Sequence, residues 1–339
     1  MNWNEFYASL KENTLKPVYL FAGPEVFIKS GALDAMRKKL LPEGLEGLNE
    51  TVLEGATAAQ IIEAAETLPM MCERRLVIVR DWAPLMSGKS KNEEAEVQRM
   101  SEWIKQAPDS CSLIFYMRGE PDGKKKMTTL LKKEAESVRF ELLTDAELTK
   151  WVAQRLKPLG KRMSPAAVNH LSFTAGRELT RLAGELEKLA AYIGDRTEIS
   201  IEDIEEVVAP SLEYSVFEML DKLLAGDVPE AQRLLNATIE SGQSRIGILA
   251  MLTRQFRSLA HMKLQVENGG STQTIEKLFK LNPYAAKKMA RQMQRYSAAR
   301  LMQLYRELIE TDHAIKSGQL REQAALDMMF LKIGIKTLT

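Results

Sequence analysis

Short apolar runs alternate with helical stretches through the first 142 residues, and then the runs stop. That switch constrains the fold more than any other feature of the chain. The runs are 18–22 (VYLFA), 50–53, 75–80 (RLVIVR), 112–117 (SLIFYM) and 138–142. Helical patterns occupy 27–40, 57–66, 92–107 and 124–136 between them. Strands alternating with helices imply a mostly parallel sheet covered on both faces. Pro/Gly-rich turns at 23–24, 42–47, 83–88 and 119–123 punctuate the pattern.

Beyond residue 143 the signals are helical. Thr144 is a good N-cap, with Asp145 and Glu147 in the first turn. Ser164-Pro165 marks another start, with Pro at the first helical position. Leu179, Leu182, Leu186, Leu189 and Ile193 share one helical face. A short helix from Ser200 ends near Pro210, which closes a small helical domain over 143–209. Helices are then expected at 214–225, 228–241, 244–266, 271–279, 283–294, 297–317 and 321–336. The order is an α/β domain (1–142), a small helical domain (143–209) and an all-α domain (210–339).

The 339 residues suit two or three domains at roughly 150 residues each. A net charge of +1 excludes a polycation, but 11 Lys/Arg face only Glu267 and Glu276 between Arg245 and Arg300. That excess favours an acidic neighbour, with Arg254, Arg257, Lys287, Lys288, Arg291 and Arg295 as candidate contacts to DNA or a partner. A solvated helix face is the alternative. Cys72 and Cys111 form no metal or disulfide pattern, which fits a reduced, cytoplasmic protein. No run reaches the ~20 apolar residues of a membrane helix. His170, His261 and His313 stand far apart and read as packed or surface residues. No metal, cofactor or catalytic residue is expected.

Gly23-Pro24-Glu25 stands between the first strand and its helix, where a nucleotide-binding domain keeps the loop Gly-x-x-x-x-Gly-Lys-[Ser/Thr]. Only Gly23 is in place, and no Gly-Lys-Ser/Thr follows. The loop is therefore expected to lack the lysine and the metal-binding hydroxyl that hold a triphosphate. At the end of 75–80, Asp81 is followed by Trp82 where a second carboxylate would serve metal and water. The scaffold reads as an ATPase without the chemistry. Asp122-Gly123-Lys124-Lys125-Lys126 could touch phosphate or be a solvated loop.

Leu68-Pro69-Met70-Met71 is the best interaction motif. Pro69 stops a helix, so Leu68, Met70 and Met71 fall on the turn into the next strand. They either pack as a local lid or project as a docking plug. Methionine suits a pocket that must accept it reversibly.

Three further segments carry a resemblance. They are Gly176–Leu189 (GRELTRLAGELEKL), Leu281–Lys288 (LNPYAAKK) and Thr311–Gly318 (TDHAIKSG). With PVYLFAGPEVF near the N-terminus, they resemble the delta subunit family of bacterial DNA polymerase III, over essentially the whole length. The resemblance implies a P-loop-ATPase-like (AAA+) α/β domain with a degenerate nucleotide site, a small helical lid domain and a helical collar. It implies no intrinsic activity and no cofactor. The implied role is to bind and open the β sliding clamp, so that the ring can be loaded onto primed DNA. The implied partners are that clamp, the gamma/tau and delta prime subunits, and primer-template DNA through the assembled complex. The clamp-binding segment of the family matches Leu68, Pro69, Met70 and Met71, with methionines where relatives often carry an aromatic. Two other readings stay open: an active remodelling or helicase-loading ATPase, and a helical DNA-binding protein that acts alone.

Overall fold

The computed structural model describes residues 1–88, 92–269 and 283–334, apart from the side chains of 283–285 and 287. These residues form two compact units, Met1–Leu143 and Thr144–Thr339.

The first unit is built on five parallel strands: β1 (Val18–Ala22), β2 (Glu50–Glu54), β3 (Arg75–Arg80), β4 (Cys111–Tyr116) and β5 (Glu136–Arg139). Their order in the sheet is β2-β3-β4-β1-β5. β1 is buried at all five positions, as a strand covered on both faces must be. One face stacks Val18, Leu20, Val77, Val79, Leu113 and Phe115 against Ile61, Ala65, Trp103 and Leu131. These last four come from helices α4 (Ala58–Glu66), α5 (Glu93–Ile104) and α6 (Lys126–Glu134). On the other face, the Phe6 ring lies edge-on to Tyr19 and Phe21, at 5.8 and 5.0 Å between centroids.

Phe6 belongs to α1 (Trp3–Glu12), which the sequence patterns did not single out. Its start is fixed by a capping box: Asn2 accepts from the Glu5 amide, and Glu5 reaches back to the Asn2 amide at 2.8 Å. Asn13, left-handed at φ 57°, ends it. α2 (Val26–Leu40) and the single turn α3 (Glu46–Asn49) complete the unit. β5 lies two residues earlier than the apolar run at 138–142. Its partner β1 pairs Tyr19 with Glu136 and Ala22 with Arg139, and so sets the register.

The second unit holds α7 (Asp145–Leu156), α8 (Pro165–Ala175), α9 (Leu179–Tyr192), α10 (Ile201–Val207), α11 (Leu212–Ala225), α12 (Val228–Glu240), α13 (Arg245–Glu267), α14 (Pro283–Met293), α15 (Ala298–Lys316) and α16 (Glu322–Gly334). It also contains two strands that no pattern announced, β6 (Arg162–Met163) and β7 (Glu198–Ile199). At two residues each they are too short to show periodicity. The 209/210 division falls inside this unit. Phe173 of α8 packs against Tyr214 and Phe217 of α11, at 5.2 Å between centroids in both cases. Further along, Leu252, Phe256 and Leu259 of α13 share a core with Leu301, Leu304 and Leu308 of α15. The helix expected at 271–279 and the Lys287 side chain lie outside the described residues.

Candidate functional site

In an open parallel sheet, ligands are taken at the carboxyl ends of the strands. Here Gly23, Asp81 and Met117-Arg118 follow β1, β3 and β4 at that end. Gly23 has φ 123°, and a Cβ on it would stand 2.3 Å from the Phe140 carbonyl oxygen. Its amide donates to Gly119 O at 3.1 Å, and the Glu25 amide donates to Phe140 O at 2.9 Å. The turn is thus threaded between the extensions of β4 and β5, and only glycine fits.

The expected lack of a lysine and a hydroxyl does not hold in the sequence itself. Counted from Gly23, Lys29 and Ser30 do stand at the lysine and serine positions of the phosphate-loop pattern. Ile28 replaces the second glycine. Both lie within α2. α2 begins at Val26, so residues that would form the loop are already helical, and the Lys29 amide bonds back to Glu25 O. Few free amides remain to cradle a phosphate. The buried Glu25 carboxylate accepts from the Phe27 amide at 3.0 Å, and so puts a negative group of the chain itself at the helix start. The Lys29 side chain is fully buried. Its ammonium donates to Gly23 O (2.8 Å), Met117 O (2.5 Å) and Arg118 O (3.2 Å). An ammonium has three N–H groups, and each has a carbonyl here. Burial pulls its pKa below the ordinary lysine value, and Asp81, Glu120 and Glu25 oppose that pull.

Asp81, left-handed at φ 44°, accepts from the Arg118 amide and pairs with the Arg118 guanidinium, both at 2.9 Å. Trp82 is buried against Phe115 and donates to Ala56 O at 3.0 Å. Lys125 is held by Glu93 at 2.8 Å and by Gly88 O. Among the described residues, no cluster of His, Cys, Asp or Glu could hold a metal ion. Burial pushes the Cys111 thiol up to about 12 and keeps it protonated.

The second candidate is the turn between α4 and β3. α4 closes at Thr67, whose amide bonds Glu63 O. The next residues leave the core: Leu68 is 75% exposed, Met70 54% and Met71 85%. Pro69 between them is half-buried. Met71 is left-handed at φ 58°. The turn is nonetheless tied down. Arg75 donates to Thr67 O at 3.2 Å, and the Asn49 carboxamide bonds both the amide and the carbonyl of Met70, at 2.7 and 2.9 Å.

The basic residues of the second unit separate into two kinds. Arg254, Arg257, Arg291 and Arg295 are exposed. Lys288 is half-buried between Glu218 and Asp221, the latter at 2.9 Å. Burial lowers its pKa, but the two carboxylates outweigh that and hold it above the ordinary value. Its charge is therefore used inside the fold. Arg254 reaches Glu213 at 3.9 Å, and Arg295 donates to Leu224 O at 3.4 Å.

Comparison with known proteins gives this layout a family. The family model described as "DNA polymerase III, delta subunit" matches residues 19–141, and "DNA polymerase III delta subunit, C-terminal domain" matches 213–333. The chain belongs to the DNA polymerase III delta-subunit family. It is 28% identical to the DNA polymerase III subunit delta of Bacillus subtilis, covering 97% of this chain and 96% of that one. The Escherichia coli subunit delta is 23% identical over 76% of this chain and 74% of its own length. Among solved structures, the Bacillus subtilis DNA clamp loader delta protein matches with a TM-score of 0.64 and 26% identity. That match covers 98% of this chain and 99% of that chain. Both candidate sites of this delta-family chain fall inside the first matched segment. Lys29 is legible in the sequence as a spacing from Gly23. Asn49 carried no signal, because its partner Met70 lies 21 residues away.

Proposed function

We propose that this delta-family subunit binds the ring-shaped β sliding clamp through Leu68, Pro69, Met70 and Met71, and biases the ring towards opening without hydrolysing ATP. The observation that carries the reading is the exposure of three large apolar side chains on a turn held by buried polar groups. A turn that served only as a lid would bury them. A plug anchored in a clamp pocket lets α4 and its neighbours bear on the ring, and binding that favours the open ring shifts its equilibrium.

The filled phosphate loop supports a subunit moved by ATP bound elsewhere in the assembly. The Lys-Ser spacing would favour an active ATPase, but the three carbonyls on Lys29 and the Arg118 pairing of Asp81 weigh against it. Residues 143–209 are proposed as the lid and 210–339 as the collar that meets gamma/tau and delta prime. Exposed Ile309, Met328 and Leu331 offer apolar surface for those contacts. Arg254, Arg257, Lys287, Arg291 and Arg295 remain candidates for DNA or subunit contact in the assembled loader. A cytoplasmic, nucleoid-associated location goes with this role.

The test is a binding titration with the clamp of the same organism. Filling a pocket is worth about 1.5–3 kcal/mol per fully buried side chain. Met70→Ala/Met71→Ala should therefore weaken binding by roughly two to four orders of magnitude. Its melting temperature should be nearly unchanged. Unchanged affinity with a lowered melting temperature would make the turn a lid and overturn the proposal.

A further inference from the structure

We infer that Asn49 is a positioning residue for the docking turn, holding Met70 and Met71 in their presented geometry before any partner arrives. The inference rests on the clamp-docking reading above. Asn49 closes α3 just before the edge strand β2 and is 0% exposed. Its Nδ2 donates to Leu45 O at 3.2 Å and to Met70 O at 2.9 Å, while Oδ1 accepts from the Met70 amide at 2.7 Å. Both N–H groups and the carbonyl are engaged. The opposite amide orientation would set donor against donor at the Met70 N–H, so the bonding pattern fixes it.

Bonding both the N–H and the C=O of one residue fixes the two peptide planes that flank Met70. The same planes set where the Met70 side chain leaves the backbone and where Met71 begins. Met71 takes the left-handed conformation at φ 58°, which a long side chain adopts only when its surroundings demand it. A second anchor comes from Arg75, which joins Thr67 O at 3.2 Å to the Thr51 hydroxyl at 3.0 Å. Two buried polar side chains are thus committed to a turn whose own side chains stand in solvent. A loose apolar turn would instead fold its side chains onto the nearest apolar surface. Holding it open removes an ordering cost from binding.

If Asn49 is lost, only a fraction of molecules present the turn correctly at any time, and the apparent dissociation constant rises by the inverse of that fraction. The experiment compares wild type, Asn49→Ala and Met70→Ala/Met71→Ala as full-length chains in one titration against the clamp. Hydrogen exchange at the Met70 and Met71 amides is followed in the free chain. Asn49→Ala should raise Kd about tenfold and speed exchange at Met70, while amides of β1, β3 and β4 stay protected. A wild-type Kd for Asn49→Ala, beside a weakened double methionine variant, would overturn the positioning role and leave the docking reading standing. Wild-type binding by the double methionine variant would overturn both. Should Asn49→Ala lose the protection of the sheet, Asn49→Asp takes its place. It keeps the shape and the acceptor for the Met70 amide but cannot donate to the two carbonyls, and the same rise in Kd is expected. Loss of the sheet in both variants makes Asn49 a folding residue and overturns the inference.

Discussion

The Lys29 ammonium donates 2.8 Å to the carbonyl oxygen of Gly23. The lysine that a phosphate loop would turn on a triphosphate is turned back on the loop itself. With Met117 O and Arg118 O, it ties the start of α2 to the end of β4.

Lys29→Met should therefore cost stability and gain no chemistry. Three buried carbonyls lose a charged partner, a loss of about 3 kcal/mol. Urea unfolding at neutral pH measures it. ATP at millimolar concentration should leave the melting temperature of both wild type and variant unmoved. A clear ATP-dependent rise in the wild type would show that the loop opens to nucleotide.

Gly23→Ala places a methyl group 2.3 Å from the Phe140 carbonyl, at a φ of 123° that side chains rarely adopt. Neither the turn nor the β5 extension can yield without losing the Glu25–Phe140 backbone bond. The expected loss is about 2–4 kcal/mol. A variant as stable as wild type would mean that the turn shifts freely.

Met71→Gly should move stability and binding in opposite directions. Glycine adopts φ 58° at no steric cost, so relief of the left-handed methionine should raise stability by up to about 1 kcal/mol. The same change removes a side chain that is 85% exposed and available to a partner. Clamp affinity should fall while the melting temperature holds or rises. A drop in both would place Met71 in the packing of the free protein.

A cut at residue 143 should behave better than a cut at 209. Residues 1–143 keep their own core. A fragment ending at 209 strips Tyr214 and Phe217 from Phe173 and removes the Ser211 amide from Thr174 O. Light scattering of the two fragments at equal concentration should show aggregation of the longer one only.

The acid side of the stability profile should involve Asp203. Two bonds from Arg196 (2.7 and 3.2 Å), and then the Ser200 amide at 2.9 Å, hold its carboxyl below the ordinary Asp value. The folded chain thus binds fewer protons here than the unfolded chain. The contribution is present above the unfolded carboxyl range and is lost as pH falls through the lowered folded value. Asp203→Asn should be less stable than wild type at neutral pH, and urea midpoints should show the gap closing in acid. A gap independent of pH would rule this out.

The sequence by itself determined the classes of element and their order. Short β-branched and aromatic runs such as VYLFA and RLVIVR, bounded by turn residues, favour buried strands, and the caps at Thr144, Ser164 and Ser200 favour helix starts. Those signals act within a few residues, through propensity and local hydrogen bonds. Tertiary structure decided what the polar groups do. Lys29 sits at a catalytic spacing, but two of its three partners come from residues 117 and 118, just past a strand that chain topology alone brings beside β1. Lys288 sits in a basic stretch, but α11 delivers two carboxylates to it. Asn49 looks like any helix-end asparagine until the pairing of β2 with β3 carries Met70 to its side chain. The charge or hydrogen-bonding capacity of a side chain can be read from its identity. Whether that capacity faces a ligand or is used up within the fold depends on contacts between residues far apart in the chain.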